Sequence, residues 1–347
     1  MADEVRNTRS GAKLFWYWFE RLGPLVMLLA LVVGFSAVEY DAFVSVSNFQ
    51  MILLQTAILA TCTLGMTMIM VSGGLDLSVG SALAFASVSG AIAYTMTGSP
   101  FFACITAILA GGVVGSANGL LVAGCGMNPF IVTLGMMGVA RGAARLFCDS
   151  KNVYLYHDTV IDGQEHRDTW VPQLLVKSPS AEPWATLGVS PGVVITIILI
   201  AVMIFVMRRT VLGRHVYAIG SNEDAARLCG IEVDRSKFMI YLIAGLIFGV
   251  AGMMQMAFDN SGNPTSRLGF ELNVIAAVVI GGASLNGGQG TIFGSVVGAL
   301  IMVVLTSGFN LTEVSAETQQ LVIGVIIVAA VALDMLRQGS LKIPFIR

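Results

Sequence analysis

The chain has 347 residues, 56% hydrophobic and only 12% charged, with a formal net charge of −2 and a mean hydropathy of +0.82. A soluble domain carries about a quarter charged residues, so this composition excludes a water-covered globular protein, and lipid must face most of the exterior. The near-zero net charge says little by itself; the placement of the charges carries the information.

A helix needs about 20 apolar residues to cross the hydrocarbon core. On that basis the sequence predicts an all-α, polytopic membrane bundle. Its ten spans lie near 24–38, 49–72, 80–97, 102–124, 128–147, 191–207, 238–258, 272–286, 291–309 and 318–335. They form a single transmembrane domain over 24–335, between an N-terminal segment 1–23 and a tail 336–347. Phe15 to Arg21 is rich in aromatic rings and suits the headgroup layer. The first apolar run ends in Val38-Glu39-Tyr40-Asp41 without a cleavage signature, and is expected to remain as a span.

Lys and Arg in short loops set orientation. They cluster in the N-terminal segment (Arg6, Arg9, Lys13, Arg21), after the sixth span (Arg208, Arg209, Arg214, Arg227, Arg235, Lys237) and in the tail (Arg337, Lys342, Arg347). Ten spans put all three on one side, so both termini are expected in the cytoplasm. The opposite loops carry Glu39 and Asp41, Asp259 and Glu271, Glu313 and Glu317. A long polar segment, 148–190, falls on that outer side, and Trp170, Pro172, Pro183 and Trp184 suggest ordered packing within it. Its length fits either contact with an external partner or an inert insertion.

Glycine is abundant, at 39 residues, and recurs at four-residue spacing: Gly111, Gly115 and Gly119; Gly138 and Gly142; Gly245 and Gly249; Gly294 and Gly298. In lipid this spacing lets helix backbones approach closely. Val71-Ser72-Gly73-Gly74-Leu75-Asp76-Leu77-Ser78-Val79-Gly80 also resembles Val279-Ile280-Gly281-Gly282-Ala283-Ser284-Leu285-Asn286-Gly287-Gly288. Paired glycine-interrupted segments point to a transport pathway, because exposed backbone at membrane depth survives only beside protein or water. Gly73, Gly74, Gly80, Gly281, Gly282, Gly287 and Gly288 are therefore expected to break helices that face a central cavity. The topology makes the two segments parallel. Asp76 is the one acidic residue between Asp41 and Asp149. It fits a cap on the following helix or a contact to substrate or gate. Sparse polar groups at Asp76, Ser78, Asn128, Ser284 and Asn286 are the expected cavity residues, able to bond hydroxyls weakly.

Between the sixth and seventh spans, the 208–237 loop contains Asn222 as an N-cap, Glu223 and Asp224 in a first turn, and Gly230 at a helix end. A short cytoplasmic helix is expected there. The five cysteines and three histidines show no metal-ligand spacing. No phosphate-binding loop, voltage-sensor helix, buried carboxylate relay or nucleophile–base pair is visible. Energy must then come from another subunit, or the protein is a passive pore or a stand-alone carrier.

Four stretches together resemble the permeases of ribose-type bacterial ATP-binding-cassette importers: Gly73-Gly74-Leu75-Asp76-Leu77-Ser78-Val79-Gly80-Ser81; Asn128-Pro129-Phe130-Ile131-Val132-Thr133-Leu134-Gly135; the loop from Gly213-Arg214 to Ile231; and Gly281-Gly282-Ala283-Ser284-Leu285 with Gly287-Gly288 and Gly290-Thr291. They appear in the family's order across most of 50–335, although the family often has Pro where Asn128 stands. The resemblance implies a monosaccharide pathway through two permease copies or paralogues. It implies cytoplasmic ATPase subunits that hold the ATP and magnesium, with no cofactor or catalytic site in this chain. A periplasmic sugar-binding protein would deliver substrate. The ATPase-coupling residues would be Arg214, Gly220, Asn222, Glu223, Ala225, Ala226 and Gly230. The site would be the bacterial inner membrane, with lipid around the bundle and no nucleic acid. The same fold importing a nucleoside or a furanosyl signal molecule is the nearest alternative. The 148–190 segment is longer than in compact members, so no role carries over to it.

Overall fold

The computed structural model describes residues 23–155, 159–161, 164–166 and 190–337. The interfacial aromatics of 15–21, Trp170, Pro172, Pro183, Trp184 and the tail cations Lys342 and Arg347 lie outside the described residues.

The helices, in chain order, are α1 (Gly23–Val38), α2 (Tyr40–Phe43), α3 (Val46–Val71), α4 (Val79–Thr97), α5 (Pro100–Gly119), α6 (Pro129–Phe147), α7 (Pro191–Arg209), α8 (Val211–Ser221), α9 (Glu223–Leu228), α10 (Val233–Asp259), α11 (Phe270–Ile280), α12 (Ile292–Leu311) and α13 (Ala316–Arg337). The end of α5 widens into a π turn, Leu120–Gly124. Among the described residues, seven of these helices are long and apolar enough to cross a membrane: α3, α4, α5 with its π turn, α6, α7, α10 and α12. The other three apolar runs, Gly23–Val38, Phe270–Ile280 and Ala316–Ala329, are shorter. Among the described residues, seven of the ten expected spans are therefore full-length crossings. The clearest departure is the expected span 272–286. Its helix, α11, stops at Ile280 after 11 residues, about 16 Å at 1.5 Å per residue.

Glycine sets the tightest contact. A β-carbon at Gly111 would strike Gly245 O and the backbone of Gly249, and one at Gly115 would strike Tyr241 O and Gly245. Along that seam α5 and α10 meet backbone to backbone, as small residues allow in lipid. Gly294 and Gly298 bring α12 equally close to Gly281 and Ala277. Gly138 and Gly142 behave differently: nothing lies within 4 Å of either β-carbon position, so their spacing makes no close contact within this chain.

Hydrogen bonds tie α12 antiparallel to α3, through Thr67 to Ser295 at 2.7 Å and Ser307 to Asn48 at 2.6 Å. Since α11 also runs antiparallel to α12, from Ala277 against Gly298 to Gly281 against Gly294, α3 and α11 are parallel and end on the same face. This is the relative direction expected from the topology.

Strand content is minor. Val153–Tyr154 (β1) pairs antiparallel with Ser261–Gly262 (β4), and Thr159–Ile161 (β2) with Gln164–His166 (β3). The first pairing joins the start of the long 148–190 segment to the residues that follow α10.

Candidate translocation site

Three features could serve a pathway: two helix ends that meet at the face carrying Val211–Ser221, a stretch of chain that turns back into the bundle, and a cavity.

The two ends are built alike. After α3 the Gly74 N–H bonds Ile69 O and the Gly73 N–H bonds Met70 O; after α11 the Ala283 N–H bonds Val278 O and the Gly282 N–H bonds Val279 O. Gly73 (φ 82°) and Gly282 (φ 90°) hold the left-handed position of this helix stop, where a β-carbon is disfavoured. The helix stops therefore correspond one residue out of step with the sequence match, which pairs Gly73 with Gly281. The turns that follow keep the sequence register. Ser78 N donates to Asp76 Oδ1 at 2.7 Å, and Asn286 N donates to Ser284 Oγ at 3.1 Å. A one-residue slip between helix stop and turn separates the halves of the repeat.

These ends touch. The Gly288 N–H donates to Val71 O at 2.8 Å, and a β-carbon on Gly287 would fall 2.9 Å from Gly73 Cα. The end of α8 closes the junction. A β-carbon on Gly220 would collide with Val71 O, and Tyr217 Oη donates to Gly290 O at 2.8 Å. Gly74 and Gly281 are close approaches too, Gly74 to Tyr241 Oη and Gly281 to the Gly294 backbone. Gly80 does not break a helix. It is the second residue of α4, bare because Glu271 and the carbonyl of Arg267 pass over it.

Asp76 is buried at 1% exposure. Its Oδ1 takes the Ser78 N–H and, at 2.6 Å, the Ser78 hydroxyl; its Oδ2 takes Asn118 Nδ2 at 3.2 Å. Asn118 Nδ2 also reaches Ser78 Oγ at 2.9 Å. The carboxylate therefore organises the turn into α4, rather than bonding the N–H groups of its first turn, and it is sealed from any solute in this conformation. Asn118, a polar residue inside the apolar 102–124 run, is the partner that sequence reasoning missed; its polarity within a span was the signal.

The expected cavity set does not assemble. Asp76 and Ser78 form one buried cluster and Ser284 and Asn286 form a separate turn, while Asn128 is an exposed cap whose Oδ1 accepts the Phe130 N–H at 2.9 Å. Local backbone polarity consumes these groups.

A cavity among the described residues lies elsewhere. Asp259 and Glu271 do not flank an outer loop: from Asn260 to Gly269 the chain runs back along α4. Gly262 packs on Ser87, Val88 and Ala91, and Arg267 and Phe270 reach Gly80. Irregular backbone at this depth must be satisfied by protein. Arg141 of α6 does so, its Nη1 donating to Pro264 O at 2.9 Å and Ser266 O at 2.7 Å. Ser266 Oγ in turn donates to Asp259 Oδ2 at 3.1 Å. The stretch delivers Arg267, at φ 56°, into a cavity of about 130 Å³ lined by Gln55, Leu59, Arg267, Phe270, Asn273, Met302, Val303 and Thr306.

At the face carrying α8, α9 stands as the sequence predicts. Asn222 caps it by accepting the Ala225 N–H at 2.9 Å, and Gly230 (φ 82°) ends it, with Ile231 N–H bonded to Ala226 O. Ala226 is buried against Ile219 and Val233. Glu223 accepts from Lys237 at 2.6 Å and pairs with Arg227 at 3.3 Å, and Arg227 also binds Asp234 at 2.5 Å. Burial alone would raise the Glu223 carboxyl, but the hydrogen bonds and charges of Lys237 and Arg227 outweigh it and hold it below the usual carboxylate range. Arg214 and Ala225 are exposed, and Leu228 projects from α9 at 89% exposure. The second loop helix, α8, capped by Thr210 through the Gly213 N–H, went unread in the sequence.

Broken parallel helices, a re-entrant stretch and a cavity within a lipid-facing bundle define a membrane transport protein. The family model for the branched-chain amino acid transport system permease component matches residues 48–331. The chain is 35% identical to a ribose import permease protein of Escherichia coli, covering 96% of this chain and 99% of that protein. It is 31% identical to a D-allose transport system permease protein of Escherichia coli over 93% of both chains. It is 33% identical to an L-arabinose ABC transporter permease protein of Azospirillum brasilense, over 94% of this chain and 90% of that one. No solved structure matches. The chain belongs to this family of transport-system permease components.

Proposed function

We propose that the chain is the membrane-spanning permease subunit of an ATP-driven importer, and that it carries a monosaccharide across the bacterial inner membrane. The observation that carries this reading is near-full-length similarity to permeases named for ribose, allose and arabinose. The junction of Val71, Gly73, Gly220 and Gly288 supports it, because it ties the α8–α9 unit to both helix breaks. In this reading α9 and both termini face the cytoplasm. Partner ATPase subunits seat on α9 and bind the ATP and magnesium, and the chain has no catalytic site of its own. A second permease, identical or related, completes the pathway, and a periplasmic binding protein hands sugar to the face that bears the 148–190 segment. ATP-driven closure of the partners moves α8 and α9, and the linked breaks open the pathway on one side at a time.

The test is a tagged purification in mild detergent, followed by ATPase assays with loaded and empty binding protein. Recovery of an ATPase subunit stimulated by one loaded binding protein is expected. A lone chain that moves solute across liposomes without ATP would instead make the protein a stand-alone carrier.

A further inference from the structure

The cavity between α3, α11 and α12 is lined by half-buried polar groups that keep unspent hydrogen-bonding atoms. Arg267 spends only its Nε, on Gln255 Oε1 at 2.7 Å, so its two terminal amines make no hydrogen bond among the described residues. The side-chain amides of Gln55 and Asn273 likewise make none among the described residues. Thr306 donates its hydroxyl to Met302 O and Val303 O at 3.0 Å, which leaves its oxygen lone pairs to accept. All four residues line one space. In a lipid-embedded bundle polar atoms without partners are costly, and three side chains with unspent donors and acceptors converging on one cavity mark a ligand site. Leu59 and Phe270 give the same space an apolar wall, with the Arg267 guanidinium 4.9 Å from the Phe270 ring centroid.

We propose that this cavity is a transient binding site for a single neutral sugar ring, with Arg267, Gln55 and Asn273 as its selectivity residues; this rests on the importer reading above. The size fits: about 130 Å³ compares with the ~150 Å³ cavity that admits one benzene ring. The lining fits as well: no carboxylate lines the cavity, which disfavours cations. Amide and guanidinium groups supply both donors and acceptors, matching hydroxyls that do both. The apolar wall receives the C–H face of a ring. With so few polar groups the site holds sugar weakly, as a pathway must if its cargo is to leave.

The test uses the purified permease–ATPase complex in detergent and saturation-transfer NMR with D-ribose, D-allose, L-arabinose and D-glucuronate at millimolar concentration. At least one neutral sugar is expected to give a signal. Arg267→Met should weaken it about tenfold. Asn273→Ala and Gln55→Ala should change the order of preference among the neutral sugars, which loss of stability alone does not do. The near-isosteric Thr306→Val guards against misfolding and should weaken all the neutral sugars together. Unchanged signals in all four variants, signal from glucuronate alone, or none from any sugar would each overturn the site. The importer reading fails separately, if no ATPase subunit copurifies with the unmodified chain.

Discussion

Asp76 shows how much one buried acceptor can organise. It gathers a backbone N–H, a hydroxyl and an amide from Ser78 and Asn118, so its removal strands the first two and leaves the amide only Ser78 Oγ. Each buried group left unsatisfied costs about 1–3 kcal/mol. Asp76→Ala is therefore expected to lower the melting temperature of the purified complex and abolish uptake, whereas Asp76→Asn keeps the acceptor facing Ser78 and retains the fold. Equal uptake by the wild type and the alanine variant would remove the residue from the mechanism. The carboxylate was legible from sequence as an isolated charge, and a cap was one of its two readings. Its partner Asn118 was not, because nothing in linear sequence shows which turn a mid-helix amide will meet. Glu223 makes a second case. Its carboxyl is held low by Lys237 and Arg227, so its contribution is complete above the unfolded carboxylate pKa and disappears as pH falls through the depressed folded value. Thermal scans across the acid range should show a loss of stability that is absent in Glu223→Gln; superimposable profiles would contradict it.

At the scale of elements, the breaks were legible because glycine pairs flanked by apolar runs have few other uses in lipid. The α9 helix was legible because Asn222 and Gly230 are strong cap signals. The re-entrant stretch after Asp259 was not. Its polar residues, from Asn260 to Arg267, look like a solvated loop, and only Arg141, a cation inside the 128–147 run, hinted that backbone carbonyls needed a donor within the membrane. The same limit explains the misplaced cavity residues: motif positions that fold a turn spend their hydrogen bonds on that turn. The Val71–Gly220–Gly288 junction carries its own prediction. Gly220→Val puts side-chain bulk against Val71 O, and should leave ATP hydrolysis running while uptake falls about tenfold or more, the signature of uncoupling. Proportional loss of both would place Gly220 in assembly rather than in coupling.

For the molecule as a whole, close backbone approach at glycine seams adds to the packing of one large apolar core. Along the α5–α10 seam, Gly115→Leu forces the helices apart. Overpacking of a tight interface costs ~1–3 kcal/mol or more, so the variant should melt earlier and express poorly. An unshifted melting curve would show that the seam gives way without cost. Gly138→Leu, whose β-carbon meets nothing within this chain, should leave the melting of the isolated subunit close to wild type.

That seam also bears on how the protein is made. Gly111 and Gly115 enter the bilayer when only the first third of the chain exists, yet their partners Tyr241, Gly245 and Gly249 belong to a helix still unsynthesised. Until it arrives, the small-residue groove of α5 has no partner in the chain, and a product truncated before α10 is expected to associate through that groove more than the full-length chain does.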